Sequence, residues 1–139
     1  MADRSVQQTM TSNPTSVRPD LPVSEAARVM RSEDVGSLPV VEGERLVGVV
    51  TDRDIAVRVV AEGKDPNTVS VAEIQSTDPV TVNPDQDLRD ALVQMARHQV
   101  RRLPVVADGR LVGVLAQADV AREAGGSLTG ELVEEISER

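Results

Sequence analysis

Two hydrophobic periods alternate along this chain, and the alternation is written twice. Leu88, Ala91, Leu92 and Met95 recur at i, i+3, i+4, i+7. This spacing predicts a helix with one buried stripe, and Asp87 stands where an N-cap is needed. Sixty-five positions earlier, Val23, Ala26, Ala27 and Met30 mark the equivalent stripe. Apolar, β-branched runs follow each helix, at 37–41 and 45–50 and again at 102–106 and 110–115. Their Gly-containing connections, Glu42-Gly43-Glu44 and Ala107-Asp108-Gly109, predict β-hairpins with three-residue loops. Short strands are expected at 15–17 and 80–82, after Asn13-Pro14 and Asp78-Pro79. A second helix is expected from near Asp52 to about Ala61, and from Gln117 to about Ala124. The predicted order is β-α-β-β-α, twice.

Residues 5–56 align without gaps on 70–121, and 20 of the 52 positions are identical. Leu38-Pro39-Val40-Val41 matches Leu103-Pro104-Val105-Val106, and Arg45-Leu46-Val47-Gly48-Val49 matches Arg110-Leu111-Val112-Gly113-Val114. Two copies are too few for a solenoid. They predict an α/β (α+β) module of two repeats with pseudo-two-fold symmetry, in which each half covers the other's apolar face. The first repeat is expected over 5–62, a polar linker over 63–69 and the second repeat over 70–126. An acidic tail, 127–139, carries Leu132, Val133 and Ile136 on one side of a short helix.

The chain has 139 residues and no Phe, Tyr or Trp, so its core must be aliphatic, with Val favouring strands. No apolar run approaches the ~20 residues that cross a bilayer, and the first residues lack the features of a signal peptide. The expectation is a cytoplasmic protein without a membrane partner. Without cysteine there is no disulfide or Cys-ligated metal, and the lone His98 reads as a helix-end residue rather than a ligand. Net charge is −8 and no side chain can stack on a base, which argues against nucleic acid. Gly48 and Gly113, inside predicted strands, suggest close approach of another backbone.

The duplicated unit, with its Leu-Pro-Val-Val and Leu-Val-Gly-Val strands followed by Asp54-Ile55 or Asp119-Val120, resembles a pair of cystathionine-β-synthase (CBS) domains. Asp65-Pro66-Asn67-Thr68 and His98-Gln99-Val100-Arg101-Arg102 are similar to segments of bacterial hypoxia- and stress-response members. The resemblance covers nearly the whole chain and implies a stand-alone CBS pair without a catalytic domain. It also implies an adenosine-type ligand, AMP, ADP or ATP, in a composite cleft between repeats. The family's Gly-h-x-Thr/Ser-x-x-Asp motif is present as Gly48-Val49-Val50-Thr51-Asp52-Arg53-Asp54. Thr51 and Asp54 would hold ribose, Arg101 and Arg102 the phosphate with help from Arg53, and backbone groups near Thr15 and Val17 the adenine edge. Repeat 2 has Ala116 and Ala118 where repeat 1 has Thr51 and Arg53, so Asp119 implies only a weaker second site. Each motif residue also has a structural reading, since Thr51, Asp54 and Asp119 could simply cap helices and the arginines could be solvated surface.

The function implied is a non-catalytic regulatory sensor that needs no cofactor, with Mg²⁺ only alongside a phosphate. The alternative is a CBS-fold interaction or scaffold protein without physiological nucleotide binding. Neither a Ser-His-Asp signal nor a phosphate-cradling Gly-x-x-x-x-Gly-Lys loop supports an enzyme. The resemblance further implies a homodimer formed through the second helices, with Ile55, Val59 and Val120 as candidate contacts, and a regulated protein whose identity the sequence leaves open.

Overall fold

In the computed structural model, which describes residues 4–124, the chain opens with a short helix and a short strand, α1 (Val6–Thr9) and β1 (Thr11–Ser12). Helix α2 (Val23–Glu33) then leads to strands β2 (Ser37–Glu42) and β3 (Arg45–Thr51). Helix α3 (Asp52–Ile55) continues into a π-helical turn, Ala56–Val60. The second half repeats this order as α4 (Val71–Ile74), α5 (Leu88–His98), β4 (Arg102–Ala107), β5 (Arg110–Ala116) and α6 (Gln117–Ala124). This is the mixed α/β order of a CBS repeat pair. The predicted tail, 127–139, lies outside the described residues.

The helical stripes hold. Leu88, Ala91, Leu92 and Met95 are buried, and the Asp87 carboxylate accepts the Arg89 N–H at 2.8 Å as the N-cap. On α2, Val23, Ala26 and Met30 are buried while Ala27 is half-buried, at the edge of the stripe. Each hairpin turn is one residue shorter than predicted, because Glu42 pairs with Arg45 and Ala107 with Arg110. Gly43 opens the first turn at φ 64°, and Asp108 and Gly109 hold the second at φ 53° and 80°. Two positive φ values in succession are what a type I′ turn requires. The strands expected at 15–17 and 80–82 are only single parallel bridges, Val17 to Val40 and Val82 to Val105. Pro14 with Pro19, and Pro79 with Pro84, flank those bridges with residues that cannot donate to a ladder.

Two compact units result, and each has its own aliphatic core. One is Thr15–Pro79, centred on Val23, Leu38, Val40, Val50, Val59 and Ile74. The other comprises residues 4–14 and 80–124 among those described, centred on Leu88, Met95, Leu103, Val105 and Leu115. These units cross the repeat boundaries. The opening segment of each repeat docks on the hairpin of the other: β1 pairs antiparallel with β5, and Ser76 bridges Val49 of β3.

The docked segments include two four-residue helices that sequence periodicity missed. Both carry a capping box. Gln8 accepts the Ser5 N–H at 2.9 Å, and Glu73 accepts the Ser70 N–H at 2.7 Å. The Ser70 backbone N–H, joined by its hydroxyl, holds the Glu73 carboxyl below its ordinary pKa. Helices this short do not persist alone. Complete burial of Val6 and Val71 contributes roughly 1.5–3 kcal/mol each and anchors them.

The second helices correct the expected dimer face. Val59 and Val120 are fully buried within their own units, and Ile55 is half-buried. The π turn, closed by the Ala61 N–H to Ala56 bond at 2.9 Å, instead exposes Val57 (47%) and Val60 (68%). Among the described residues no helix is long and apolar enough to cross a membrane.

Candidate functional site

Strand β3 meets helix α3 at Thr51, where the motif read from the sequence is a local device in its own right. The Thr51 hydroxyl oxygen accepts the Asp54 N–H at 3.0 Å, and Oδ2 of Asp54 accepts the Thr51 N–H at 2.9 Å. Both residues therefore form the capping box that starts α3. The structural role and a ligand role are compatible, because capping leaves chemistry unused. The Thr51 hydroxyl keeps its own hydrogen, and Oδ1 of Asp54 has only the Arg58 Nε nearby, at 4.0 Å. With one donor and one carboxylate oxygen available on an Asp54 side chain only 14% exposed, the corner suits a vicinal diol.

Arg58 is a residue that the sequence reading missed. It approaches Asp54 from one turn along the helix, and its Nη1 donates to the Ile74 carbonyl at 3.3 Å. An acidic residue four positions before an arginine on a helix was the available signal.

The same corner exists in the other unit with different chemistry. In both, the carbonyl before the first hairpin strand accepts the N–H that starts the helix: Gly36 from Asp52 at 2.9 Å, Arg101 from Gln117 at 2.7 Å. Ala116, however, offers no hydroxyl. Asp119 is tied to Arg122 at 2.5 Å, so its Oδ1 is already taken. An open cleft of about 350 Å³ lies here, lined by Arg101, Arg102, Ala116, Gln117 and Ala118. Among the described residues no carboxylate lines it and neither arginine pairs with one. Two guanidiniums facing one cleft suit an oxyanion such as phosphate.

The structure thus brings Thr51, Arg53 and Asp54 together at one corner and Arg101 with Arg102 at the other, while Asp119 lies outside the residues lining that cleft. Thr15 is exposed and its hydroxyl donates to Glu33 at 2.6 Å. Val17 is buried, and its backbone is engaged with β2: its N–H donates to Pro39 at 3.0 Å and its carbonyl accepts from Val41 at 2.9 Å. Its N–H is therefore not available to a ligand. No group of three or more His, Cys, Asp or Glu among the described residues could hold a metal ion.

Comparison with known proteins agrees with this architecture. The CBS domain family model matches residues 4–61 and 71–126. The chain belongs to the CBS-domain family, whose domains are regulatory and non-catalytic. It is 45% identical over 131 residues to the CBS domain-containing protein YhcV of Bacillus subtilis, covering 90% of this chain and 93% of that protein. The crystal structure of Hypoxic Response Protein I with two coordinated zinc ions superposes with a TM-score of 0.78 at 36% identity, over 86% of this chain and 98% of that one. CBSX2 in complex with AMP gives 0.76 at 30% identity, over 86% and 95%. The CBS pair of MJ0100 in complex with 5′-methylthioadenosine and S-adenosylmethionine gives 0.77 at 26% identity, over 89% and 98%.

Proposed function

We propose that this protein is a regulatory sensor of an adenosine-containing ligand, with Thr51 and Asp54 taking the ribose diol and Arg101 and Arg102 the phosphate. The observation that carries this reading is the capped Thr51–Asp54 pair, fixed in place yet with a hydroxyl donor and a carboxylate oxygen to spare. The ligands of the related structures support it. AMP, 5′-methylthioadenosine and S-adenosylmethionine share adenine and ribose, whereas only AMP carries a phosphate. A diol-reading corner is the element all three would need. Arg53, exposed beside Asp54, assists with phosphate, Asp119 is the weaker second site, and Mg²⁺ accompanies the ligand only through its phosphates.

Adenosine nucleotides then raise thermal stability. A ligand at ~100 times its Kd adds about 2.7 kcal/mol, a shift of roughly 5–10 °C for a chain of this size. Differential scanning calorimetry of dialysed protein with AMP and GMP is the test. Equal shifts from the two would remove the adenine reading, and no shift with any adenosine ligand would favour the scaffold function instead.

The protein is further proposed to be a homodimer that changes geometry with ligand and so acts on a regulated protein. Val57 and Val60 replace Val59 and Val120 as the apolar residues available for the contact. Light scattering at tens of micromolar protein should give twice the chain mass, and Val60→Asp should halve it. A monomeric wild-type protein ends this claim.

A further inference from the structure

One anchor does not fix a carboxylate. The Thr51 N–H holds Oδ2 of Asp54 at 2.9 Å, but the terminal torsion of an aspartate is broad, so the plane of the group needs a second constraint. Arg58 supplies one. Its Nε lies 4.0 Å from Oδ1, too far to occupy the acceptor as a hydrogen bond, but close enough to orient the charge. A half-exposed arginine would ordinarily wander. Here Nη1 is tied at 3.3 Å to the carbonyl of Ile74, the last residue of α4, which otherwise lacks a helical partner.

The arrangement exists in one repeat only. The position related to Arg58 is Glu123, which repels a carboxylate and pairs with Arg4 at 3.3 Å. Asp119 is gripped from the next turn by Arg122 instead.

We propose that Arg58 is a positioning residue of the ribose site: it sets the plane of the Asp54 carboxylate and links that group to the docked segment at 71–76. The inference rests on the ribose reading above. A diol that engages Oδ1 acts on the guanidinium that also holds the end of α4. Ligand occupancy is thereby felt two residues further on, where the Ser76 N–H bonds the Val49 carbonyl at 2.9 Å.

The test titrates adenosine and 2′-deoxyadenosine into the full chain by calorimetry, and follows amide exchange at 71–76 with and without adenosine. Wild type prefers adenosine and gains protection at 71–76. Arg58→Gln narrows that preference by roughly 3- to 5-fold, the range of a partly exposed ion pair, and loses the ligand-dependent protection. Arg58→Lys restores most of the preference through its charge but not the protection, having no second fork for Ile74. Arg28→Gln, which breaks an exposed ion pair with Glu25 on α2, changes neither. An Arg58→Gln protein with the wild-type preference overturns the positioning role, even if exchange at 71–76 rises in the free protein, because that pattern is purely structural. A wild type that binds both nucleosides equally removes the ribose reading and this proposal with it.

Discussion

Asp54→Ala weakens adenosine binding by roughly 10- to 150-fold, the loss expected of a hydrogen bond to a charged group, whereas Asp119→Ala leaves it nearly unchanged. The asymmetry follows from what each carboxylate already does. Asp54 caps α3 through Oδ2 beside the Thr51 hydroxyl and keeps Oδ1 free of direct hydrogen bonds, while Asp119 has Ala116 in place of that hydroxyl donor and its Oδ1 held at 2.5 Å by Arg122. Removing Asp54 also removes a cap, which costs about 0.5–2 kcal/mol of stability. Asp54→Asn separates the two effects, because its amide oxygen can still cap while the charge is gone. Calorimetric titration of the three variants, each checked for folding by circular dichroism, measures the difference. Should Asp119→Ala prove the more damaging with all variants folded, the ribose site belongs to the other repeat and the intact Thr51 motif is only a helix cap. Arg102→Ala supplies the complementary result: AMP binding falls while adenosine binding holds, since adenosine carries no charge for that guanidinium.

The hairpins were legible because each repeat sets two continuous apolar runs, Leu38-Pro39-Val40-Val41 being buried along its whole length, on either side of a Gly-containing connection, a hydrophobic pattern that paired strands fit. The stripe from Leu88 to Met95 was legible for the same reason in helical period. Helices α1 and α4 were not, since four residues contain no period to read. Their signature was nevertheless present as Ser5…Gln8 and Ser70…Glu73, a pattern of caps rather than of hydrophobicity. The docking of each opening segment on the other repeat's hairpin has no local signature at all. Ser5-Val6 and Ser70-Val71 are identical, so neither sequence says which strand it will join.

The site was half legible. The motif located Thr51 and Asp54, but the free oxygen of one and the occupied oxygen of the other depend on whether an arginine stands four or three residues later. Nor does spacing distinguish an α turn from a π turn. The face presented by Ala56–Val60 therefore departed from expectation, burying Val59 and exposing Val57 and Val60.

Gly48→Ala should destabilise the protein by about 1–3 kcal/mol, lowering its Tm by roughly 3–10 °C. A methyl group there would lie 2.7 Å from the Ser76 carbonyl oxygen and 2.8 Å from Oε1 of Gln75. The amide of Gln75 can swing away, and its Oε1 is buried without a partner, so displacing it sacrifices no hydrogen bond. The carbonyl cannot move so freely. It accepts the Val49 N–H at 3.0 Å, and Ser76 returns a 2.9 Å bond to the Val49 carbonyl, so relief requires opening the bridge that docks residues 75–76 on β3. Gly48→Ala combined with Gln75→Ala should consequently recover only the side-chain part of the loss. Gly43→Ala is the control for backbone strain, since it sits at φ 64° with open space around it. That change costs about 1 kcal/mol without disturbing the docked segment. Thermal denaturation with amide exchange at Ser76 distinguishes these outcomes. Exchange there should quicken in Gly48→Ala and stay unchanged in Gly43→Ala. If Gly48→Ala melts like wild type with Ser76 still protected, close backbone approach is not what this strand position requires.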